Sequence, residues 1–237
     1  MSGVCEQLCD EVASALGEGG FPLVIGGDHS IAMGTLSGIA RHVRDAKGGE
    51  EPRIGLLWFD AHADLNTPAT SPTGNIHGMP LATLLGQGPP ELCNIGFEGP
   101  KLQARNIVQI GLRDLDDGEK KLIRDRGIHA YTMADIDKKG MATVMEEAIA
   151  TVSKDTDFVH VDFDIDVMDP QIAPGTGTRK IGGLTYREAH LALEMTASRC
   201  ELGSFGLVEV NPILDERNRT AEVAVSLIAS AMGERIL

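Results

Sequence analysis

Two kinds of apolar run alternate along this chain. Residues 5–17 carry apolar side chains at helical spacing, and Gly17, Gly19 and Gly20 close the run. Residues 21–25 form a short apolar stretch of strand type. They run into Gly26-Gly27-Asp28-His29-Ser30, and a helical pattern follows from about Ser30 to Val43. Residues 54–59 are almost wholly apolar, as in a strand buried on both faces. A long loop rich in Thr, Pro and Gly spans Asn66 to Pro80. Helical patterns recur around 80–86, 117–126, 141–153, 185–199 and 218–234, and strand patterns at 107–112, 158–163 and 205–210. Strands that alternate with helices predict a three-layer α/β/α architecture around a doubly wound, mostly parallel central sheet. In such sheets ligands bind beyond the carboxyl ends of the strands.

The 237 residues, 42% hydrophobic and 24% charged, hold no linker or low-complexity tract, so a single domain over 1–237 is expected. The net charge of −14 argues against a nucleic-acid partner and suits a cationic small molecule. No apolar run is long enough to span a membrane, so no membrane partner is expected. Cys5, Cys9, Cys93 and Cys200 form no C-x-x-C pair. They predict free thiols, a reducing compartment and a cytoplasmic setting.

The chemistry concentrates where two of the apolar runs end. Asp60, His62 and Asp64 occupy every second position after residues 54–59, and Asp164 and Asp166 repeat the spacing after residues 158–163. Residues i, i+2 and i+4 of an extended segment share a face. The two sets can therefore converge from neighbouring strands, with carboxylates able to bridge two metals. A lone D-x-D is more often a solvated turn; two such sets after buried strands, one holding a histidine, point to a two-metal hydrolytic centre.

Together with Gly26 to Ser30, the run Asp60 to Gly78, Phe163 to Pro170, Ala173 to Thr178, Gly182 to Glu188, Gly111 to Asp114 and Glu209 to Pro212, these segments resemble the ureohydrolase family, and within it the arginases. The Gly74-Asn75-Ile76-His77-Gly78 segment separates arginases from their relatives. The resemblance implies hydrolysis of L-arginine to L-ornithine and urea by a hydroxide bridging two manganese ions. One ion would be held by His29, Asp60, Asp64 and Asp164, the other by Asp60, His62, Asp164 and Asp166. It further implies catalytic roles for His77, Asp64 and Glu209, with His77 as proton shuttle. Asn66, Thr73 and Asn75 would bind the substrate carboxylate, Asp116 its α-amino group, and Thr178 and Glu209 would flank the guanidinium. Thr73 stands where many arginases have serine, with the hydroxyl retained. Arg187 and Glu188 match positions that pair across subunits, which implies a homotrimer or homohexamer.

Arginases begin several tens of residues earlier, with a βα unit. The resemblance thus implies a chain without that amino-terminal segment and with an exposed sheet edge. Three alternatives stay open at this point: an agmatinase or guanidino-acid ureohydrolase, an inactive truncated subunit, and a single-metal deacetylase of related fold.

Overall fold

The computed structural model describes residues 1–235. Its elements are α1 (Ser2–Gly17), β1 (Leu23–Ile25), α2 (Ala32–Ala46), β2 (Ile54–Phe59), α3 (Pro80–Leu84), α4 (Pro90–Cys93), β3 (Ile107–Leu112), α5 (Asp117–Arg126), β4 (His129–Thr132), α6 (Met133–Lys139), α7 (Met141–Val152), β5 (Phe158–Asp164), α8 (Tyr186–Arg199), β6 (Ser204–Val208) and α9 (Arg219–Ala231). The six strands pair in parallel in the order β1-β6-β5-β2-β3-β4. From β2 the chain builds outward through β3 and β4, then returns to lay β5 and β6 on the other side. The order therefore reverses at the β2/β5 pair, where a crevice opens at the carboxyl ends of the strands.

Helices cover both faces. Leu57, Phe59, Ile110, Val161, Phe163 and Leu207 pack under the helices α6 to α9, while Ile54, Leu56, Trp58 and Leu112 pack under α1, α2 and α3. Each such large apolar side chain, fully buried, stabilises the fold by roughly 1.5–3 kcal/mol before the entropy of ordering it. This two-sided burial explains why β2 reads as an almost unbroken apolar run. Helix α1 lies close on α2 because two glycines one turn apart open the contact. A Cβ at Gly34 would meet the Cys5 carbonyl oxygen at 2.7 Å, and one at Gly38 the Cys9 carbonyl oxygen at 2.6 Å.

Several elements depart from the sequence expectation. Strand β1 begins at Leu23, not residue 21; Pro22 has no N–H to donate, although its carbonyl accepts from the Phe205 N–H. Strand β6 ends at Val208, two residues early, because Glu209 takes a left-handed φ of 63°. Strand β4 and helix α6 carry no clear apolar period: β4 is an edge strand whose residues are partly or fully exposed, and α6 starts on a Thr132–Asp135 capping box. The opposite edge, β1, leaves Leu23 40% and Ile25 63% exposed. An apolar sheet edge, as expected, is therefore present.

Candidate active site

Strands β2 and β5 set the geometry. Phe59 pairs with Phe163 in register, so the next residues, Asp60 and Asp164, emerge side by side. The chain then turns so that each carboxylate caps its own successor. Asp60 Oδ1 accepts from the His62 N–H at 2.7 Å, and Asp164 Oδ1 accepts from the Asp166 N–H at 2.7 Å. Asp166 Oδ1 reaches back across the crevice to accept from the Ala61 N–H at 3.1 Å, and Thr178 donates its hydroxyl to Asp166 Oδ2 at 2.7 Å. His29 arrives from the turn after β1. Its Nδ1 lies 3.0 Å from Asp64 Oδ2 and 3.0 Å from Asp164 Oδ2. His62 Nδ1 lies 3.0 Å from Asp166 Oδ2 and 3.4 Å from Asp60 Oδ1. Asp64 is held at a φ of 52°, a conformation rare outside glycine. Such strain persists where the surroundings over-determine it, commonly at functional sites.

These side chains form two overlapping triads whose ligating atoms lie within 4.8 Å of one another: His29, Asp60, Asp164, and Asp60, His62, Asp166. The residues fit metal ions on two grounds. His29 Nδ1 is buried and makes no hydrogen bond, although two carboxylates face it, because the angles are wrong. An imidazole nitrogen so placed has a lone pair or a proton without use unless a cation sits among the donors. Second, Asp60 and Asp164 are wholly buried beside other carboxylates. Burial, and then the charges of Asp64 and Asp166 on Asp60 and of Asp166 and Asp60 on Asp164, push both well above the ordinary carboxylate range. Cations would relieve that repulsion.

Behind the ligands lies a buried relay that carried no role in the sequence reading. His29 Nε2 lies 2.9 Å from Asp162 Oδ1, Asp162 Oδ2 lies 3.6 Å from His160 Nε2, and His160 Nδ1 lies 2.7 Å from Ser204 Oγ. Trp58 stacks on the His29 ring at 4.4 Å and donates its indole N–H to Asp60 Oδ2 at 3.0 Å. The Arg113 guanidinium, half-buried, donates to the carbonyl oxygens of Asp166, Val167 and Met168 and so anchors the segment that carries Asp166.

Above the cluster a cavity of about 370 Å³ opens to solvent. It is lined both by ligand residues and by Asn66, Thr73, Asn75, His77, Asp116, Thr178 and Glu209, so the expected substrate residues meet over one space. Asn66 is buried; its amide donates to Asp116 Oδ2 at 2.8 Å, and its carbonyl accepts from Thr70. Asp116 is also the N-cap of α5, in a capping box with Glu119. Thr73 and Asn75 sit on the exposed loop, joined by the bond from the Asn75 N–H to Thr73 Oγ1 at 3.2 Å. Glu209 accepts from the His29 N–H at 2.7 Å, held there by its left-handed backbone.

His77 faces a carboxylate that the sequence reading left without a role. Its Nδ1 lies 3.5 Å from Asp28 Oδ2. Asp28, then Glu209, raise the His77 imidazole above its ordinary value against the opposing effect of burial. His42 and His129 lie away from the cavity lining. Arg187 and Glu188 on α8 also lie away from it; Glu188 caps its own helix and Arg187 pairs with Glu194 at 3.2 Å.

A parallel, doubly wound sheet with a carboxylate–imidazole cluster at its switch point defines a metal-binding α/β hydrolase. The chain belongs to the arginase family, whose family model matches residues 1–233. It is 54% identical to the arginase of Bacillus caldovelox over 232 residues, which is 98% of this chain and 75% of that relative. The crystal structure of the Bacillus cereus arginase superposes with a TM-score of 0.94 at 51% identity, covering 100% of this chain and 79% of that one. The Entamoeba histolytica arginase, solved in complex with L-ornithine, superposes with a TM-score of 0.89 at 35% identity, covering 98% of this chain and 76% of that one. Among the described residues no helix is long and apolar enough to cross a membrane.

Proposed function

We propose that this chain hydrolyses L-arginine to L-ornithine and urea. Two manganese ions would be held, one by His29, Asp60, Asp64 and Asp164 and the other by Asp60, His62, Asp164 and Asp166. The donor set, four carboxylates to two imidazoles, favours manganese by its oxygen content. Bound there, the ions supply a water acidic enough to act as nucleophile near neutral pH and positive charge to balance the cluster.

The chain's own residues do the rest. Glu209, over the cluster, offers a carboxylate to the guanidinium, a charge-assisted and geometrically selective contact. The Thr178 hydroxyl lines the same wall. The loop residues Asn66, Thr73 and Asn75 present amide and hydroxyl groups at the mouth, suited to an α-carboxylate, and Asp116 suits an α-amino group. His77, oriented by Asp28, is placed to hand a proton to the departing nitrogen so that the amine leaves neutral. Asp64, besides helping to hold one ion, would take up the proton that the attacking water releases.

The observation that carries this reading is the single cavity that joins the buried cluster to the loop. A guanidinium at the floor and an amino-acid backbone at the mouth is the polarity of arginine. The Entamoeba histolytica arginase, solved in complex with L-ornithine, supports an amino acid as ligand. We infer further that the whole chain works as one domain, in the cytoplasm and as a homotrimer or homohexamer. The free cysteines support the setting, and exposed Ile181 and Ile213 support an assembly. The test is urea release by manganese-loaded protein from L-arginine and from agmatine. Arginine is expected to be the better substrate; a preference for agmatine, which lacks the carboxylate, would overturn the assignment of the loop.

A further inference from the structure

The end of the sheet remote from the metal ligands holds a second cavity, of about 710 Å³. It collects the segments that enter the strands: Arg53 precedes β2, Arg105 and Asn106 precede β3, His129 opens β4, and Lys154 and Asp155 follow α7. Three of these side chains are cationic and one is anionic, in a chain whose net charge is −14. A strongly acidic protein has carboxylates to spare for pairing its cations. Here they are not used. Among the described residues Arg105, His129 and Lys154 form no ion pair, and the one side-chain contact of Arg105 is to the Gln103 amide oxygen at 2.6 Å.

Arg53 is differently placed. Asp157 grips it with two bonds, from Nε at 3.2 Å and from Nη2 at 2.7 Å, which fixes the guanidinium plane and leaves Nη1 without a partner among the described residues. Asn106 adds an independent observation. It is 5% exposed, it lines the cavity, and its amide nitrogen makes no hydrogen bond. A buried amide donor without an acceptor is costly and uncommon in native proteins. Three cations gathered from three separate segments into a concavity, with Asp155 the one anion of the lining, also repel unless a further anion joins them.

We propose that this cavity binds a small, multiply charged oxyanion, either a phosphoryl compound or a polycarboxylate. Arg105 and Lys154 supply charge, Arg53 supplies a fixed guanidinium edge, and Asn106 supplies a neutral donor at the floor. Guanidinium and ammonium groups with an amide match oxyanions of both kinds. The proposal is independent of the hydrolytic reading, because none of these residues lines the metal-site cavity.

The test is calorimetric titration of the folded chain with inorganic pyrophosphate and, separately, with citrate, at low ionic strength. Saturable binding at one site per chain is expected for at least one of them. The Arg105→Gln/Lys154→Gln double variant should weaken it about tenfold or more, with urea release unchanged. A tighter fit to pyrophosphate assigns the cavity to phosphoryl compounds, and a tighter fit to citrate assigns it to polycarboxylates. Absence of saturable binding overturns the proposal. So does binding that the double variant leaves intact, which would place the anion elsewhere, the metal cluster included. If the double variant does not fold, the single exposed change Lys154→Glu serves in its place, with the same two outcomes.

Discussion

The floor and the mouth of the active-site cavity are built in opposite ways. At the floor, Asp60, Asp64, Asp164 and Asp166 are each 5% exposed or less and sit at or just past strand ends, and the carboxylates of Asp60, Asp164 and Asp166 each accept from a backbone N–H, those of His62, Asp166 and Ala61. At the mouth, Thr73 and Asn75 ride on an exposed loop and are tied by little more than a bond to each other. Asn66 stands between, buried and bonded to Asp116 and Thr70. The difference follows from the tasks. The proposed metal ligands must hold their geometry with nothing bound, and charge repulsion works against them, so they are anchored at the ends of parallel strands. Residues that read a substrate backbone need only meet it on arrival, and a loop suffices.

This contrast can be broken at several points. The largest effect belongs to the floor. Asp164→Ala should abolish urea release and metal loading together, a loss greater than the roughly 10–100-fold that removal of a mere orienting partner costs; metal retained at the wild-type level would break the assignment. His77→Ala lies between floor and mouth. Turnover should fall about 10²–10⁴-fold, the usual worth of a general acid or base, with metal content unchanged. Loss of metal in that variant would make His77 a ligand. Asp162→Asn keeps every ligand but weakens the hold on His29 Nε2, so manganese affinity should fall about 10–100-fold by equilibrium dialysis, and excess manganese should restore turnover. Manganese itself should stabilise the fold by about 2.7 kcal/mol per site at a hundredfold excess over Kd, read as a rise in melting temperature. That rise should vanish in Asp164→Ala and persist in Thr73→Val. The smallest effect belongs to the mouth: Thr73→Val should raise KM for L-arginine by a factor of about 3–10 with kcat nearly unchanged, the cost of one hydrogen bond.

The same contrast sorts what the sequence made legible. The floor was legible because the alternating Asp60, His62 and Asp64 follow an apolar run, yet the chain leaves extended geometry at Asp60; turns, and the in-register pairing of β2 with β5, bring these side chains to Asp164 and Asp166. The mouth carries no period. Thr73 and Asn75 were legible through the resemblance to arginases alone, since a polar loop residue is by itself a turn former. Two further residues, Asp162 and Asp28, act through a histidine and carry no signal of their own in the sequence. Asp162 stands two residues before Asp164, in the same alternation, and an imidazole ligand requires a partner for its second nitrogen. Asp28 precedes His29 in a recognised motif, yet its target, His77, is 49 positions further on in sequence and met only through the fold. Strand β4 escaped because an exposed edge strand has no buried face to impose a pattern.

The central claim is that one compact floor holds two cations through shared carboxylates. Elemental analysis of the purified, manganese-equilibrated chain tests it most directly. Two bound ions per chain are predicted, with both diminished when the shared residue Asp60 is changed to alanine. A single tightly bound ion, or two that survive Asp60→Ala, would contradict it.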